Sequence, residues 1–335
     1  MRRKIVLIEV NNLVKQYGDH VAVDHLSFKV EKGQIYGFLG PNGAGKSTTM
    51  NIMTGYLSAT SGEVIINGYN IFEEPEQAKK CIGYLPEMPP LYMDMTPLEY
   101  LKFVAELKKI PKKDQMQMIA DVMKLVKITE YGNRLIRNLS KGYKQRVGLA
   151  QAILGYPEVI ILDEPTVGLD PKQIIEIRDL IKELSKKHTV ILSSHIMQEI
   201  SAVCDYIMII AHGKLVASDT PENLSKLMLG SNEIELVIRG EEALVKEILL
   251  KNSEITNLAV HHGVEEGCVL VEIKTPSEID IREKIFYQMC EAKCPILMMK
   301  SANLSLEDIF LELTADQASA PSLTEEKESN HDSDL

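Results

Sequence analysis

The sequence predicts an α/β domain with an inserted helical subdomain, followed by a small α+β domain. Through residues 1–230, apolar runs of strand length alternate with helical patterns, an order typical of a largely parallel sheet covered by helices. After residue 230 the predicted order becomes β-α-β-β-α-β, which is that of a ferredoxin-like unit. The length of 335 residues is enough for two such domains. We therefore expect one domain over 1–230, a second over 231–314 and a tail over 315–335.

The predicted strands of the first domain are short and strongly apolar. The basic start of the chain is similar to that of a signal peptide, but Glu9 ends the apolar stretch too early for one. We therefore predict a first strand from about Ile5. The later runs of strand length point to a largely parallel sheet, and they are Gln34–Leu39, Glu63–Ile66, Ile82–Leu85, Val159–Leu162, Val190–Leu192 and Tyr206–Ile210. No run approaches the 18 or so apolar residues that a membrane-crossing helix needs, so we expect no transmembrane segment.

One stretch breaks the alternation of strands and helices. No strand pattern occurs between Thr96 and Asn138. Thr96 is followed by Pro97 at the first helical position and by Glu99 at the position of a capping-box glutamate. Helical patterns then continue to about Ile128, and we place the inserted helical subdomain over about 96–155.

The last third of the chain has its own pattern. The predicted elements are a strand at Glu233–Ile238, a helix at Glu241–Leu250, strands at Leu258–His261 and Cys268–Lys274, a helix at Glu278–Ala292 and a strand at Ile296–Lys300. Ser305 opens a last helix that runs to about Leu313. The tail at 315–335 has six acidic residues, one basic residue and almost no large apolar ones, so we expect it to be disordered.

Composition excludes several kinds of site. The net charge of −11 divides into +2 for residues 1–230 and −13 for residues 231–335, so the first domain has no acidic bias against phosphate ligands. The five cysteines contain no Cys-x-x-Cys pair, which argues against a zinc site and a disulfide framework and fits a reducing cytosol. The short lysine pairs lack interleaved aromatic residues, so no nucleic-acid partner is expected.

A phosphate-binding loop is predicted after the strand Gln34–Leu39. The run Gly40-Pro41-Asn42-Gly43-Ala44-Gly45-Lys46-Ser47 matches G-x-x-x-x-G-K-[ST], and a helical pattern follows at Thr48–Thr54. The glycines allow backbone N–H groups to surround phosphate oxygens, Lys46 reaches the β- and γ-phosphates, and Ser47 offers its hydroxyl to Mg²⁺. The sequence therefore predicts a P-loop NTPase.

Two carboxylates, Asp163 and Glu164, follow the apolar strand Val159–Leu162. This placement puts Asp163 at the carboxyl edge of the sheet, near the Mg²⁺ of a bound nucleotide. A glutamate at the next position can deprotonate a water that attacks the γ-phosphate, which favours hydrolysis over phosphoryl transfer. The alternative is a surface turn after a buried strand.

A histidine lies at a third strand end. His195 follows Val190–Leu192 and the pair Ser193-Ser194. A neutral imidazole there could donate a hydrogen bond to the γ-phosphate and sense its loss. Taken alone, an ordinary loop or capping histidine is at least as good an interpretation.

The run Leu139-Ser140-Lys141-Gly142-Tyr143-Lys144-Gln145-Arg146 completes a pattern. Together with the motifs above, it resembles the signature of an ABC-transporter ATP-binding cassette, and the resemblance covers residues 5–229. It implies a fold of the ABC-cassette type and binding of ATP with Mg²⁺. It also implies that two cassettes, identical or paired, pack head to tail, so that the signature of one chain closes over ATP held by the other.

The resemblance also implies a role for each site residue. ATP would be bound by Tyr17, which stacks on adenine, and by Gly40, Pro41, Asn42, Gly43, Ala44, Gly45, Lys46, Ser47 and Thr48. The catalytic residues would be Glu164, the switch histidine His195 and Glu87 of the Q-loop, and the metal ligands would be Ser47, Asp163 and Glu87. The residues acting in trans would be Ser140, Lys141, Gly142 and Tyr143 of the signature, with Asp170 in the D-loop.

Three positions depart from the common family pattern. Lys141 and Tyr143 stand where glycine and glutamine are usual, and Glu87 replaces the usual Q-loop glutamine. With Gly37–Pro41 and Leu304–Phe310, these features look like the ATPase subunits of bacterial drug-, sodium- and gliding-motility-type exporters. The gliding-motility-associated type is the nearest resemblance.

The function implied is that of a transport ATPase that drives a separate membrane permease from the cytoplasmic face of the cell membrane. The apolar loop Met88–Met93 is either local core or part of a groove for a cytoplasmic helix of that permease. Two alternatives stay open at this point. One is a cytosolic ABC ATPase without a transport role, and the other is the ATPase subunit of an importer.

Overall fold

The structure is a computed structural model that describes residues 5–227, 231–263, 265, 267–276 and 279–301. The predicted helix from Ser305 and the predicted disordered tail lie outside these residues. Within the described ranges, no helix combines the length and the apolar character that a membrane crossing requires.

Residues 5–227 form a mixture of strands and helices, as the sequence predicts. In chain order they are β1 (Val6–Tyr17), β2 (His20–Glu31), β3 (Ile35–Leu39), α1 (Lys46–Met53), β4 (Ser61–Ile66), β5 (Tyr69–Asn70), α2 (Pro75–Lys80), β6 (Ile82–Leu85), α3 (Pro97–Leu107), α4 (Lys112–Leu125), α5 (Lys141–Ile153), β7 (Val159–Leu162), α6 (Pro171–Ser185), β8 (Thr189–Ser194), α7 (Met197–Ser201), β9 (Tyr206–Ala211), β10 (Lys214–Asp219) and α8 (Pro221–Leu227).

The central sheet has the strand order β10-β9-β3-β8-β7-β6. Five of these strands run parallel, and β10 pairs antiparallel with β9. Every residue of β3, β7 and β8 is buried, as expected for strands covered on both faces. Because the carboxyl ends of parallel strands meet at one edge, the segments that follow β3, β6, β7 and β8 come together there.

The first domain contains a second sheet. Its order is β2-β1-β4-β5, with every pair antiparallel. The predicted strand Glu63–Ile66 is confirmed as β4, which pairs with β1 and lies outside the parallel sheet. The burial pattern explains the difference: Val64 and Ile66 are buried but Glu63 is exposed, which is typical of a strand covered on one face only.

The predicted run of helices between β6 and β7 is confirmed as α3, α4 and α5. The capping box at the start of α3 is present, since the Glu99 N–H donates to Thr96 Oγ1 at 3.3 Å and the Thr96 N–H donates to Glu99 Oε2 at 2.8 Å. Buried residues such as Leu101, Val122 and Val147 pack these helices into one core with β6, β7 and β8.

The described residues after 230 form a four-stranded antiparallel sheet and two helices. These are β11 (Ser231–Arg239), α9 (Glu242–Leu250), β12 (Asn257–His262), β13 (Cys268–Pro276), α10 (Arg282–Glu291) and β14 (Ile296–Ser301). The strand order β12-β13-β11-β14 and the chain order β-α-β-β-α-β agree with the predicted ferredoxin-like unit. Its second helix begins at Arg282 and not at Glu278, because Asp280 accepts a hydrogen bond from the Arg282 N–H in a local turn. The domain boundaries stay predictions.

Candidate functional site

A cleft of about 490 Å³ opens at the carboxyl edge of the central sheet. Its walls include Tyr17, the phosphate loop from Asn42 to Thr48, Glu87, Glu164 and His195. Five separate segments of the chain thus bring most of the predicted site residues into one cavity. A cleft at this edge of a parallel sheet is where ligands of open α/β domains bind.

The phosphate loop connects β3 to α1, as its motif requires. Gly45 has a φ of +100°, and a Cβ there would lie 2.4 Å from the carbonyl oxygen of Ala22. A Cβ at Gly40 would lie 2.3 Å from the carbonyl oxygen of Ile210. Both positions therefore require glycine. The loop places the N-terminus of α1 at the cleft, where the free backbone N–H groups of the first turn favour binding of an anion.

The Lys46 side chain is buried within the phosphate loop. Its ammonium donates hydrogen bonds to the carbonyl oxygens of Gly40 at 2.8 Å and Pro41 at 3.2 Å, and it lies 3.7 Å from Glu164 Oε1. Burial lowers the pKa of Lys46, and the nearby carboxylates of Glu164 and Asp163 oppose that shift. The loop thus holds a cation beside the catalytic glutamate predicted from the sequence.

Asp163 and Ser47 form an oxygen-rich corner below the loop. Asp163 is 3% exposed, and its Oδ1 accepts hydrogen bonds from Ser47 Oγ at 3.1 Å and Ser193 Oγ at 2.6 Å. Carboxylate and hydroxyl oxygens are the donors that Mg²⁺ prefers. Among the described residues, no group of three or more His, Cys, Asp or Glu side chains forms a metal site. The corner therefore fits a Mg²⁺ that takes its remaining ligands from phosphate and water.

Glu164 has a backbone conformation that is rare for a residue with a side chain. Its φ is +47°, and such conformations cost on the order of 1–3 kcal/mol. The Glu164 N–H donates to Ser193 Oγ at 2.9 Å, which helps to hold the residue in place. Its carboxylate is almost fully buried, and both oxygens lie 3.1 Å from Nδ1 of His195.

His195 and Glu87 lie at the mouth of the cleft. The His195 side chain is 39% exposed, and within the described chain its ring nitrogen contacts Glu164, which pairs two predicted catalytic residues directly. Glu87 follows β6 and is exposed. It lines both this cleft and a neighbouring groove.

Sequence reasoning missed the role of Ser193. This buried hydroxyl accepts a hydrogen bond from the Glu164 N–H and donates one to Asp163 Oδ1, so it fixes both carboxylate residues at once. The available signal was its position: a hydroxyl residue directly at the end of a strand that neighbours β7. In the sequence, the pair Ser193-Ser194 shows only that His195 follows the end of a strand.

Tyr17 lies at the end of β1, on the wall of the cleft that the second sheet provides. Its ring is 45% exposed, and Lys15 Nζ lies 5.0 Å from the ring centroid. An exposed aromatic face at the rim of a cleft is a suitable surface for stacking a planar base.

The signature and the D-loop lie elsewhere. Ser140 caps α5, with its Oγ accepting from the Tyr143 N–H at 3.4 Å, and Asp170 caps α6, with Oδ1 accepting from the Gln173 N–H at 2.9 Å. The Tyr143 ring packs on Tyr131 at a centroid distance of 4.1 Å. Of the described residues that line the cleft, none belongs to the signature or is Asp170. The chain therefore does not bring these predicted residues to its own cleft.

Comparisons with known proteins agree with this architecture. Residues 23–167 match the family described as ABC transporter. The chain is 36% identical over 309 residues to the bacitracin transport ATP-binding protein BcrA of Bacillus licheniformis, covering 92% of this chain and 97% of that protein. It is 32% identical over 309 residues to the linearmycin resistance ATP-binding protein LnrL of Bacillus subtilis, covering 92% and 98%.

A solved structure described as a dimeric bacterial ABC transporter cassette is 25% identical, with a TM-score of 0.58, and covers 64% of this chain and 98% of that one. The predicted cassette fold is thereby confirmed, whereas the finer resemblance to the gliding-motility type stays a prediction. The chain belongs to the ATP-binding subunits of ABC transporters, a family of ATPases that hydrolyse ATP to power transport.

Proposed function

We propose that this chain is the ATPase subunit of an exporter and works as a head-to-tail dimer on the cytoplasmic face of a membrane. The observation that carries the proposal is the buried contact of Glu164 with Lys46 and His195 at the base of the cleft. Export is supported by the two relatives, one named for bacitracin transport and one for linearmycin resistance.

ATP binding is assigned to the phosphate loop, from Gly40 to Thr48, and to Tyr17. The N-terminus of α1 and the Lys46 ammonium provide positive charge for the β- and γ-phosphates, while Tyr17 stacks on the adenine. Lys46 is suited to this role because it is already held by loop carbonyls. Little side-chain ordering is then needed when the nucleotide binds.

Ser47 and Asp163 would hold Mg²⁺, with Glu87 as a further oxygen donor at the rim of the cleft. When bound, the ion neutralises negative charge on the phosphates. The chain contributes the orientation of the ligands: Ser193 Oγ and Ser47 Oγ both bond to Asp163 Oδ1 and fix that carboxylate.

Hydrolysis is assigned to Glu164. Its carboxylate accepts the proton of the attacking water, and the Ser193 hydroxyl keeps the residue oriented toward the cleft through the Glu164 backbone N–H. His195 contacts the same carboxylate through Nδ1, and its ring lines the cleft, where it can sense the presence of the γ-phosphate.

Replacing Lys46 with alanine tests the nucleotide site. The change removes the cation from the loop and leaves the buried Glu164 carboxylate without one of its partners, so ATP affinity should fall at least about tenfold, equivalent to about 1.4 kcal/mol. Titration with a fluorescent ATP analogue measures the effect. Lys46→Met keeps the length of the side chain but removes its charge, so it should lose ATP affinity as well. Lys32→Ala, at an exposed lysine, is the control and should bind ATP as wild type does. Unchanged titration of both Lys46 variants would contradict the assignment.

Dimerisation is supported by the position of the signature, because Ser140, Lys141, Gly142 and Tyr143 lie away from the cleft of their own chain. In a head-to-tail pair they would close over ATP held by the partner, with Asp170 nearby. A dimeric solved cassette among the similar structures is consistent with such a pair. We propose that the second cassette is a copy of this chain, so that the pair is a homodimer.

A groove of about 590 Å³ beside the cleft is the proposed docking site for the permease. It runs from Glu87 past Met88 and Tyr56, whose side chains are 85% and 79% exposed. That exposure argues against the local-core interpretation of Met88. Because the groove shares Ser47, Glu87 and Asp163 with the nucleotide site or its metal corner, a bound permease segment would respond to the state of that site.

Met88→Glu tests the permease groove. A carboxylate in the centre of an apolar contact should lower the amount of permease recovered with the chain about tenfold or more, as for other central interface positions. The two proteins are co-expressed and purified from detergent extracts through a tag on this chain. Met116→Glu, at an exposed methionine of α4, is the matched control. Recovery of equal amounts of permease with both variants would contradict docking of the permease in this groove.

A further inference from the structure

We propose that Glu199 is a positioning residue that holds Glu164 and His195 in the geometry needed for hydrolysis. Glu199 lies in α7 and is not among the described residues that line the cleft. It acts through hydrogen bonds to the two segments that carry the proposed catalytic residues. This inference deepens the proposed function, because it rests on the assignment of hydrolysis to Glu164.

The Glu199 carboxylate is buried and is bound by two hydroxyl groups. The residue is 7% exposed, and its Oε2 accepts hydrogen bonds from Thr166 Oγ1 at 2.5 Å and from Ser194 Oγ at 3.1 Å. Thr166 and Ser194 are buried as well. Hydrogen bonds to a carboxylate are stronger than those between neutral groups, and exclusion of water strengthens them further. This cluster is therefore a rigid junction.

The two hydroxyl groups belong to different segments of the chain. Thr166 lies two residues after Glu164, in the segment that follows β7. Ser194 is the last residue of β8 and directly precedes His195. Because β7 and β8 are neighbouring parallel strands, both segments leave the sheet at the same edge. A single carboxylate thus ties together the segments that carry both proposed catalytic residues.

The two serines at the end of β8 have separate partners. Successive side chains of a strand point to opposite faces. Ser193 bonds to the two carboxylate residues that follow β7, whereas Ser194 bonds to Glu199. Ser194 Oγ also accepts a hydrogen bond from the Ile196 N–H at 3.1 Å. The Ser194 hydroxyl therefore fixes the backbone around His195 and passes that constraint to Glu199.

Glu164 needs support on both sides because of its backbone conformation, since a φ of +47° is unfavourable for a residue with a side chain. On the N-terminal side, its N–H donates to Ser193 Oγ. On the C-terminal side, the Val167 N–H donates to the Glu164 carbonyl oxygen at 3.2 Å, and Thr166 is held by Glu199. Removing Glu199 takes away this side-chain anchor, so the turn should relax and move the Glu164 carboxylate from its place in the cleft.

The phosphate loop is held by other contacts. Lys46 bonds to carbonyl oxygens of that loop, whereas the two hydroxyl groups on Glu199 come from the ends of β7 and β8. Loss of Glu199 should therefore slow hydrolysis and spare ATP binding. A residue that only stabilises the whole fold would not separate these two quantities.

Glu199→Ala should lower kcat by about tenfold or more, because small displacements of catalytic groups are costly, and should leave binding of a fluorescent ATP analogue unchanged. Glu199→Gln keeps an oxygen that accepts the two hydroxyl groups and should retain most of the wild-type kcat. Glu222→Ala is the matched control, since Glu222 is an exposed glutamate in the first turn of α8 as Glu199 is in that of α7. A wild-type kcat in Glu199→Ala, or an equal loss in Glu199→Gln, would overturn the proposal.

Thr166→Val tests the same contact without changing Glu199. Valine has nearly the shape of threonine but lacks the hydroxyl donor, whereas Thr166→Ser keeps the donor. Thr166→Val should lower kcat and spare ATP binding, and Thr166→Ser should stay close to wild type. Full turnover of Thr166→Val would contradict the positioning role even if Glu199→Ala were poorly folded.

Dependence on Glu164 separates positioning from general damage. Glu164→Gln no longer has the carboxylate that Glu199 positions, so adding Glu199→Ala to that variant should slow its residual single-turnover hydrolysis much less than it slows wild type. The same factor in both backgrounds would refute the proposal. Rapid turnover of Glu164→Gln itself would instead refute the proposed function, so the two failures are distinguishable.

Discussion

Glu164→Gln should bind ATP as wild type does and hydrolyse it about 10²–10⁴-fold more slowly, which corresponds to roughly 3–5 kcal/mol of activation free energy. The amide has nearly the shape of the carboxylate and keeps the backbone hydrogen bond to Ser193, so the cleft should stay intact. It cannot accept the proton of the attacking water. Phosphate release measures the rate, and titration with a fluorescent ATP analogue measures binding.

The control for this variant lies at the other end of the same strand. Glu158 immediately precedes β7 and is exposed, so Glu158→Gln makes the same chemical change away from the cleft and should leave turnover unchanged. Turnover of Glu164→Gln within a few-fold of wild type would show that another group acts as the base. The same variant, co-expressed with the permease, should also stop export, since export depends on turnover.

The site was predictable from the sequence wherever its chemistry is local. The phosphate loop lies between a strand and a helix that are both adjacent in sequence, so the motif and its context are visible together. Asp163, Glu164 and His195 follow apolar strands, and the topology of a parallel sheet brings such strand ends to one edge. Recognising the strands was therefore enough to predict that these three residues lie close together.

Contacts between distant segments were not predictable in the same way. The length and apolarity of Glu63–Ile66 identify a strand but not its partner, and β4 joined β1 and not the central sheet. Ser193 is 30 positions from Asp163, and only the fold shows that its hydroxyl reaches both carboxylate residues.

Mixing two inactive variants should restore activity if the clefts are completed in trans. Ser140→Asp keeps a residue that caps helices well but places a negative charge facing the partner's triphosphate, so it should be nearly inactive alone. Glu164→Gln should also be nearly inactive. In a mixed dimer, one site combines the intact cleft of the first chain with the intact signature of the second. Random pairing of equal amounts leaves about a quarter of all sites intact, so up to about a quarter of wild-type turnover should return.

The informative control mixes two variants that damage the same half of the site. Lys46→Ala and Glu164→Gln both alter the cleft, so no pairing of these chains yields an intact site and no recovery is expected. Tags on the two chains allow mixed dimers to be purified and their phosphate release to be measured. Recovery in the first mixture alone supports sites shared between two chains, because a site contained in one chain would be damaged in both mixtures. Equal outcomes in the two mixtures would contradict the head-to-tail dimer and leave each cleft to work with residues of its own chain.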